Sequence, residues 1–203
     1  MKEIKNYIDS GIIERYVLGM TSAEEQKEIE ILGEIHPEIK EAIANFSNDL
    51  ELQAQENAVE PPLTIKPMVM ASLDYIDRLS KGEPITFPPL LNEASTIKDY
   101  AVWLDRYDMV LSPNFKDIYA KIIGYTPQVT TAIVWIKEMT PPEVHDDEHE
   151  RFLIVEGTCS ITIGDNSHQL IAGDYLAIPL YTEHYVKVTS SIPCKVILQR
   201  VAA

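Results

Sequence analysis

Residues 143–157 read EVHDDEHERFLIVEG, and this stretch decides the fold. Its first eight residues hold two histidines and five carboxylates, and the residues after them are mostly apolar. Residues two apart in a β-strand share a face, so Glu143 and His145 would point the same way. A turn through residues 146–149 would bring Glu150 back beside them at the start of the next strand. Because inward carboxylates and imidazoles are costly unless a charge neutralises them, the stretch predicts half of a cation site.

The other half of this site is predicted in residues 173–184, GDYLAIPLYTEH. Gly173 and Pro179 punctuate a strand and His184 opens the next one, so a closed sheet would bring His184 to the cluster. Two imidazoles and one or two carboxylates leave one or more coordination positions open and suit a divalent ion, zinc first, with iron, manganese, nickel or cobalt as alternatives. The predicted metal ligands are Glu143, His145, Glu150 and His184.

The other histidines are weaker candidates. His149 lies in the predicted turn, where a solvated side chain is the commoner case, but a slip of one residue would let it replace Glu150 as a ligand. His168 sits in a polar turn, and His36 precedes a helix without a neighbouring cysteine, so we expect no metal role for either. The alternative for the whole cluster is a polar cavity that holds no metal.

The two segments resemble the two sequence motifs of the cupin superfamily. The first motif has His-x-His, then Glu four or five residues later, then Gly seven residues after the Glu. The second has Gly, then Pro six residues on, then His five residues beyond. The corresponding residues here are Glu143, His145, Glu150 and Gly157, followed by Gly173, Pro179 and His184.

This resemblance covers about residues 118–203 and implies a double-stranded β-helix barrel. It also implies that His145, Glu150 and His184 are metal ligands. Glu143 stands where the first histidine is usual, and it would ligate as a hard oxygen donor. Tyr181 stands where the motif often has glycine, so we expect a narrower pocket mouth.

The chain around these motifs reads as short strands with regular turns. Residues 118–125 and 129–139 predict a hairpin with a turn at Thr126 and Pro127, and further β-branched and aromatic runs follow. Such spacing is typical of an all-β sandwich or barrel. We expect Cys159 and Cys194 to be reduced thiols packed inside strands, with a single disulfide between them as the alternative.

The first 80 residues instead predict helices. Ile4, Ile8 and Ile12 form one stripe that Gly19 ends, and Thr21 with Glu24 has capping-box spacing for a second helix that ends near Gly33. A third helix is predicted from Pro37, and a fourth after Pro62 with Met68, Leu73, Ile76 and Leu79 as its apolar positions. Prolines and a glycine in residues 81–90 predict a linker. The predicted fold class is therefore α+β with two domains, a helical bundle over 1–80 and a β-barrel over 91–203.

Composition excludes some functions. The formal charge of −15 argues against a nucleic-acid surface. No apolar run is long enough to span a bilayer, and the start lacks a signal peptide, so we expect a cytoplasmic protein without membrane contact. Residues 1–60 hold fourteen acidic and five basic residues, a charge of −9, which suits solvation or a basic protein partner.

The helical segment resembles the N-terminal domain of bacterial anti-sigma factors. The similarity lies in YVLG at 16–19, in the Thr/Ser-x-x-Glu-Glu start of the second helix, and in Pro37-Glu38. One group of anti-sigma factors joins such a domain to a C-terminal cupin without a membrane anchor. Zinc-binding anti-sigma domains carry His-x-x-x-Cys-x-x-Cys, whereas no cysteine precedes Cys159 here, so packing alone would hold this domain.

Three functions are therefore open. The first, which we expect, is a transcription regulator whose helical domain binds an extracytoplasmic-function sigma factor and whose metal-binding cupin senses a signal. The second is a metal-dependent cupin enzyme, a dioxygenase or isomerase acting on a small molecule. The third is a metabolite-binding module without chemistry. The partners implied are a sigma factor, a small ligand in the barrel and a second copy in a homodimer.

Overall fold

The computed structural model describes residues 2–203. The chain forms two compact units, of which the first ends at Glu60 and the second spans Pro61–Ala203. The first unit is helical, and the second combines one long helix with a β-rich domain. The predicted α+β class with two domains is confirmed. Among the described helices, none has the length and apolar character that a membrane crossing requires.

Four helices form the first unit, and they pack around Ile13, Ile29 and Ile39. Their bounds are α1 Lys2–Ile8, α2 Ile12–Val17, α3 Ala23–Ile35 and α4 Pro37–Glu56. The single predicted first helix is wrong, because Gly11 has a φ of +81° and breaks the stripe between α1 and α2. The predicted stop at Gly19 is confirmed: this glycine is left-handed, and the amide of Met20 donates to the carbonyl of Arg15 at 2.8 Å.

The capping box of α3 lies one residue later than predicted. Ser22, not Thr21, is the N-cap: its hydroxyl accepts from the Glu25 amide at 3.2 Å. The Glu25 carboxylate accepts from the Ser22 amide at 2.8 Å. Both pairs have the same spacing in the sequence, so the pattern alone did not choose between them.

The fourth predicted helix exists as α5, Ile65–Ser80, but it belongs to the second unit. It packs beside the first strand of that unit through Ala71 and Tyr75, which are buried, with Met68 and Leu79 against the same core. Two predicted core positions are wrong, since Leu73 and Ile76 are 55% and 62% exposed. The helix is apolar on two sides, and only packing selects the inner one.

The boundary at Glu60 lies twenty residues before the one expected from the sequence. Residues 81–90 are fastened to the β-rich domain rather than free. The Thr86 hydroxyl donates to the Ile123 carbonyl at 2.9 Å, and the buried amide of Gln199 donates to the Pro89 carbonyl at 2.7 Å. Pro88 lies over Gly124. A Cβ at this position would be only 2.3 Å from Cδ of the proline, so only glycine fits without a shift of the backbone.

An ion-pair network joins α5 to this segment. Glu83 accepts from Arg106 at 2.7 and 2.9 Å and also pairs with Arg78, which itself donates to Asp74 at 2.9 Å and to the Ile122 carbonyl. The hydrogen bond from Arg106 is the main reason that the pKa of Glu83 is lowered. Ion pairs therefore hold α5 to the domain in addition to its apolar contacts.

A Glu83→Gln variant should lose about 2 kcal/mol of stability at pH 7, because two mostly buried guanidinium groups lose their shared carboxylate. The pKa of Glu83 is lower in the folded chain, so its contribution is present above about pH 4 and disappears as the pH falls through the folded pKa. The difference in urea midpoint between variant and wild type should therefore shrink on acidification. A difference independent of pH from 7 to 3 would contradict the role of the charge.

Within residues 2–203, eight strands form two facing sheets. The strands are β1 Ile118–Tyr125, β2 Val129–Ile136, β3 Glu148–Glu156, β4 Thr158–Ile163, β5 Asn166–Ile171, β6 Tyr175–Ile178, β7 His184–Val188 and β8 Cys194–Ala202. The larger sheet has the order β1-β2-β8-β3-β6 and the smaller one β5-β4-β7. The predicted β1–β2 hairpin is confirmed, with Ile118 opposite Ile136.

Both faces of the larger sheet are covered. Its inner face packs on the smaller sheet through residues such as Val134, Phe152 and Val196. Its outer face is covered by residues 91–111, which include a 3-10 helix, Ile97–Tyr100, and a short helix α6, Ala101–Leu104. This double burial explains why β2 reads as a continuous apolar run rather than an alternation. Cys159 and Cys194 are free, buried thiols in strands, as predicted.

Candidate metal centre

The two halves of the predicted site meet through backbone hydrogen bonds. The Glu143 amide donates to the His184 carbonyl at 2.9 Å, and the His184 amide donates to the Glu143 carbonyl at 3.0 Å. The Tyr181 amide donates to the carbonyl of His145 at 2.8 Å. Residues 143–145 therefore lie beside the start of β7, although forty residues separate them in sequence.

Glu150 comes from the opposite sheet. It lies near the start of β3, where it pairs with Ile178 of β6 on one side and with Arg200 of β8 on the other. Its side chain points into the barrel and is almost fully buried. The alternation of β3 thus places Glu150, Phe152 and Ile154 on the inner face, as the sequence predicts.

The structure brings all four predicted residues together. One ligand atom from each of Glu143, His145, Glu150 and His184 lies within 4.8 Å of every other. The Nε2 atom of His184 is 2.9 Å from Oε2 of Glu150. The Nε2 atom of His145 is 3.6 Å from Oε2 of Glu143 and 3.8 Å from Oε2 of Glu150. The two imidazole rings have centroids 5.2 Å apart.

Two buried polar atoms of the cluster lack a hydrogen-bond partner, as expected if they bind a cation. Oε1 of Glu143 and Nε2 of His145 are buried and have no hydrogen-bond partner among the described residues. Buried polar atoms of folded proteins are normally satisfied. Together with the buried groups Glu150 and His184, these two unpartnered atoms make the cluster a candidate metal site.

The surroundings of His184 also fit a metal ligand. Its Nδ1 atom lies 3.2 Å from the carbonyl oxygen of Thr182, and its Nε2 atom lies 2.9 Å from Oε2 of Glu150. Both neighbours are acceptors, so without a cation the ring would donate from both nitrogens; with a metal bound, Nδ1–H would stay on the Thr182 carbonyl and Nε2 would be free to ligate. Outer hydrogen bonds of this kind orient the histidine ligands of metals.

Electrostatics keep Glu150 ionised in spite of its burial. Burial is the largest single effect and raises the pKa of Glu150. The combined effects of His145, His184 and the charge of Arg200 outweigh it and lower that pKa to about 2. Burial likewise lowers the pKa of His184, yet the hydrogen bond to Glu150 raises it overall. The site therefore presents a carboxylate at every ordinary pH.

Arg200 is the residue of the site that the sequence analysis missed. Its Nε atom donates to Oε1 of Glu150 at 3.1 Å, and Nη2 lies 3.4 Å from Oε2 of Glu143. Glu148 is a more distant neighbour, 3.9 Å from Nε. Arg200 lies outside both motifs, and only the pairing of β8 with β3 places it here. The sequence signal for such a role is that a single arginine interrupts the strand pattern of residues 194–202.

The other candidates stay outside the cluster. His149 is in β3 opposite Val201, on the strand face away from Glu150, so Glu150 and not His149 is the residue that joins the cluster. Neither His36 nor His168 is part of this group. Tyr181 has a φ of +57°, is 73% exposed and does not line the cavity, so the expected narrowing of the mouth is wrong.

A small cavity adjoins the cluster, with about 40 Å³ open to the centre of a water molecule. Glu143, Glu150, His184 and Arg200 form its polar side, and its other walls are mainly apolar. Thr64 and Met68 contribute from the start of α5. Two imidazoles and two carboxylates would leave coordination positions for a ligand from this cavity, where a bound divalent ion would supply Lewis-acid chemistry.

One family model matches part of the chain, and several solved structures are similar to part of it. Residues 131–199 match the model of the family described as cupin domain. A search of curated proteins finds no match. Among solved structures, a cupin-2 domain containing protein from Shewanella frigidimarina is similar over 46% of this chain and 96% of its own, with 22% identity and a TM-score of 0.39.

Two further solved structures are similar at the same level. A cupin superfamily protein from Desulfitobacterium hafniense has 16% identity over 46% of this chain and 84% of its own, with a TM-score of 0.41. KdgF from Halomonas sp. has 18% identity over 44% of this chain and 84% of its own, with a TM-score of 0.40. From the family match at residues 131–199, we conclude that the C-terminal part of the chain is a cupin domain.

Proposed function

We propose that the chain is an anti-sigma factor: its helical unit binds an extracytoplasmic-function sigma factor, and its cupin domain holds a divalent metal ion and senses a signal. The metal part rests on the convergence of Glu143, His145, Glu150 and His184 with two buried, unpartnered atoms. The sigma-factor part rests on the resemblance of residues 8–43 to anti-sigma factors and on the surface of the helices.

The helical unit exposes apolar side chains where a partner would cover them. Ile31 and Ile35 are one turn apart on α3 and are 51% and 65% exposed, while Ile29 of the same helix is in the core. A helix that is apolar on both its inner and outer sides is typical of an interaction surface. The charge of −9 over residues 1–60 suits a partner with basic surfaces such as a sigma factor.

α5 is the proposed route from the cavity to a partner. Met68 lines the cavity on the inner side of this helix. Val69, Leu73 and Ile76 are exposed on its outer side at near-helical spacing. A ligand that fits the cavity better in one position of α5 would bias that position, and the outer face would differ between the two states.

The binding role is tested with the full-length chain and purified extracytoplasmic-function sigma factors from the same genome. We expect one of them to form a stable complex, and a double variant, Ile31→Glu with Ile35→Glu, to bind it at least about tenfold more weakly. Val59→Glu is the matched control, since Val59 is 89% exposed and lies outside the helices. Failure of every sigma factor to bind the wild type would exclude the proposal.

The second candidate is a metal-dependent cupin enzyme, and the cavity beside the cluster favours it. An open metal position facing an apolar pocket suits a small-molecule dioxygenase or isomerase as well as a sensor. Turnover of a small molecule by iron-loaded protein, with no effect on transcription by any sigma factor, would select the enzyme.

A further inference from the structure

We propose that the cavity binds a short-chain monocarboxylic acid, with its carboxylate between the metal and Arg200. This deepens the cupin part of the proposed function: it rests on the metal site, and it is independent of the sigma factor. The observations that carry it are the charges around Arg200, a free donor on that side chain, and the shape and lining of the cavity.

The first step concerns charge. The carboxylates of Glu143 and Glu150 balance a divalent cation, so the guanidinium of Arg200 is then left as one uncompensated positive charge inside the barrel. Glu148 does not offset it fully, because Glu148 is 3.9 Å from Nε and its side chain is 39% exposed to solvent. An uncompensated charge in a mostly enclosed site is costly, and a single anion would remove that cost.

The second step concerns geometry. The hydrogen bonds of Arg200 use Nε and Nη2, and Nη1 makes none to the described residues. The guanidinium lines the same cavity as Glu143, Glu150 and His184. A carboxylate is small and planar and can accept from the free guanidinium donor, and a cation held by Glu143, His145, Glu150 and His184 would add a second attraction for its charge.

The third step concerns the rest of the ligand. The walls opposite the charged side are apolar, among them Met68, Ile118, Val134, Phe152 and Leu198. About 40 Å³ is open to the centre of a water molecule, which is room for roughly three waters. The cavity also opens to solvent, so its lining and not its volume selects the ligand: one guanidinium among apolar walls favours an acid with a short apolar chain over a sugar or a nucleotide.

The test uses the full-length, zinc-loaded protein and isothermal titration with propionate. Propionamide is the matched probe, since it has the same shape without the charge. We expect propionate to bind at least about tenfold more tightly than propionamide, and removal of zinc to abolish the difference. Equal affinities, or no propionate binding up to about 10 mM, would overturn the inference.

Two variants locate the ligand. Arg200→Gln should weaken propionate binding at least about tenfold with zinc still bound, measured by elemental analysis. Val134→Ile adds one methylene to the cavity wall without touching a metal donor, and it should weaken propionate binding while zinc content is unchanged. If Arg200→Gln loses its zinc, the comparison of propionate with propionamide and the Val134→Ile variant test the binding site instead. An unchanged propionate affinity in Val134→Ile would show that the acid binds outside this cavity.

The outcomes separate this inference from the proposed function. A wild-type protein that takes up no zinc or other divalent ion contradicts the metal site itself. A protein that takes up zinc but does not bind propionate contradicts only the ligand class.

Discussion

Replacement of His184 by alanine should weaken the binding of a divalent metal by more than about 100-fold, because loss of a mere outer-shell partner already costs about 10–100-fold. The ring is buried, its Nε2 points at Glu150, and its Nδ1 is fixed by the Thr182 carbonyl. Metal content by elemental analysis, followed by competition with a chromogenic chelator, measures the loss, and His145→Ala should behave in the same way.

His149→Ala is the matched control for this experiment. It removes an imidazole from β3, one residue before Glu150, yet His149 is outside the cluster. It should therefore keep its metal. Far-ultraviolet circular dichroism should show an unchanged helical signal in all three variants, since the first unit has its own core. Unchanged metal content in both His145→Ala and His184→Ala would show that these residues are not the ligands.

Gly124→Ala should destabilise the second unit by about 2–3 kcal/mol, because the new Cβ would lie 2.3 Å from Cδ and 2.9 Å from Cγ of Pro88. The proline ring is stiff, so the backbone of residues 86–88 must move away from β1. Trp103 and Trp135, the two tryptophans of the chain, are both buried in this unit. The midpoint of urea unfolding followed by tryptophan fluorescence therefore reports this unit alone.

Pro88→Ala supplies the control, because it removes the ring atoms that the new Cβ would meet. If the clash is the cause, the double variant should be more stable than the sum of the two single effects implies. The Thr86 carbonyl oxygen would still lie 3.1 Å from the new Cβ, so we expect partial rescue. Strictly additive effects would show that Gly124 matters for another reason.

The site could be predicted from the sequence because its residues are fixed by local periods. Glu143 and His145 share a face through strand alternation, and Glu150 opens a strand whose inner face is apolar. His184 follows a turn at a fixed distance from Gly173 and Pro179. These relations extend over a few residues, so the spacing of the residues in the sequence is enough to predict them.

Arg200 and α5 could not be predicted in this way. Arg200 reaches the cluster only because β8 lies beside β3, a neighbour that is fifty residues away in sequence. α5 has apolar residues on two sides, and the choice of Ala71 and Tyr75 as its inner positions follows from the surface of β1 that it meets. The ordered state of residues 81–90 depends likewise on Gln199, Arg106 and the bare backbone at Gly124.

The sequence by itself determined that helices precede a β-rich domain, and it identified the four residues that converge in the barrel, because periodicity and spacing act over a few residues. Only the tertiary structure decided where the first unit ends, which face of α5 is inside, and that a guanidinium lies beside the carboxylates. Those features arise from contacts between segments far apart in the chain, and the free energy of such contacts is not encoded in any one segment.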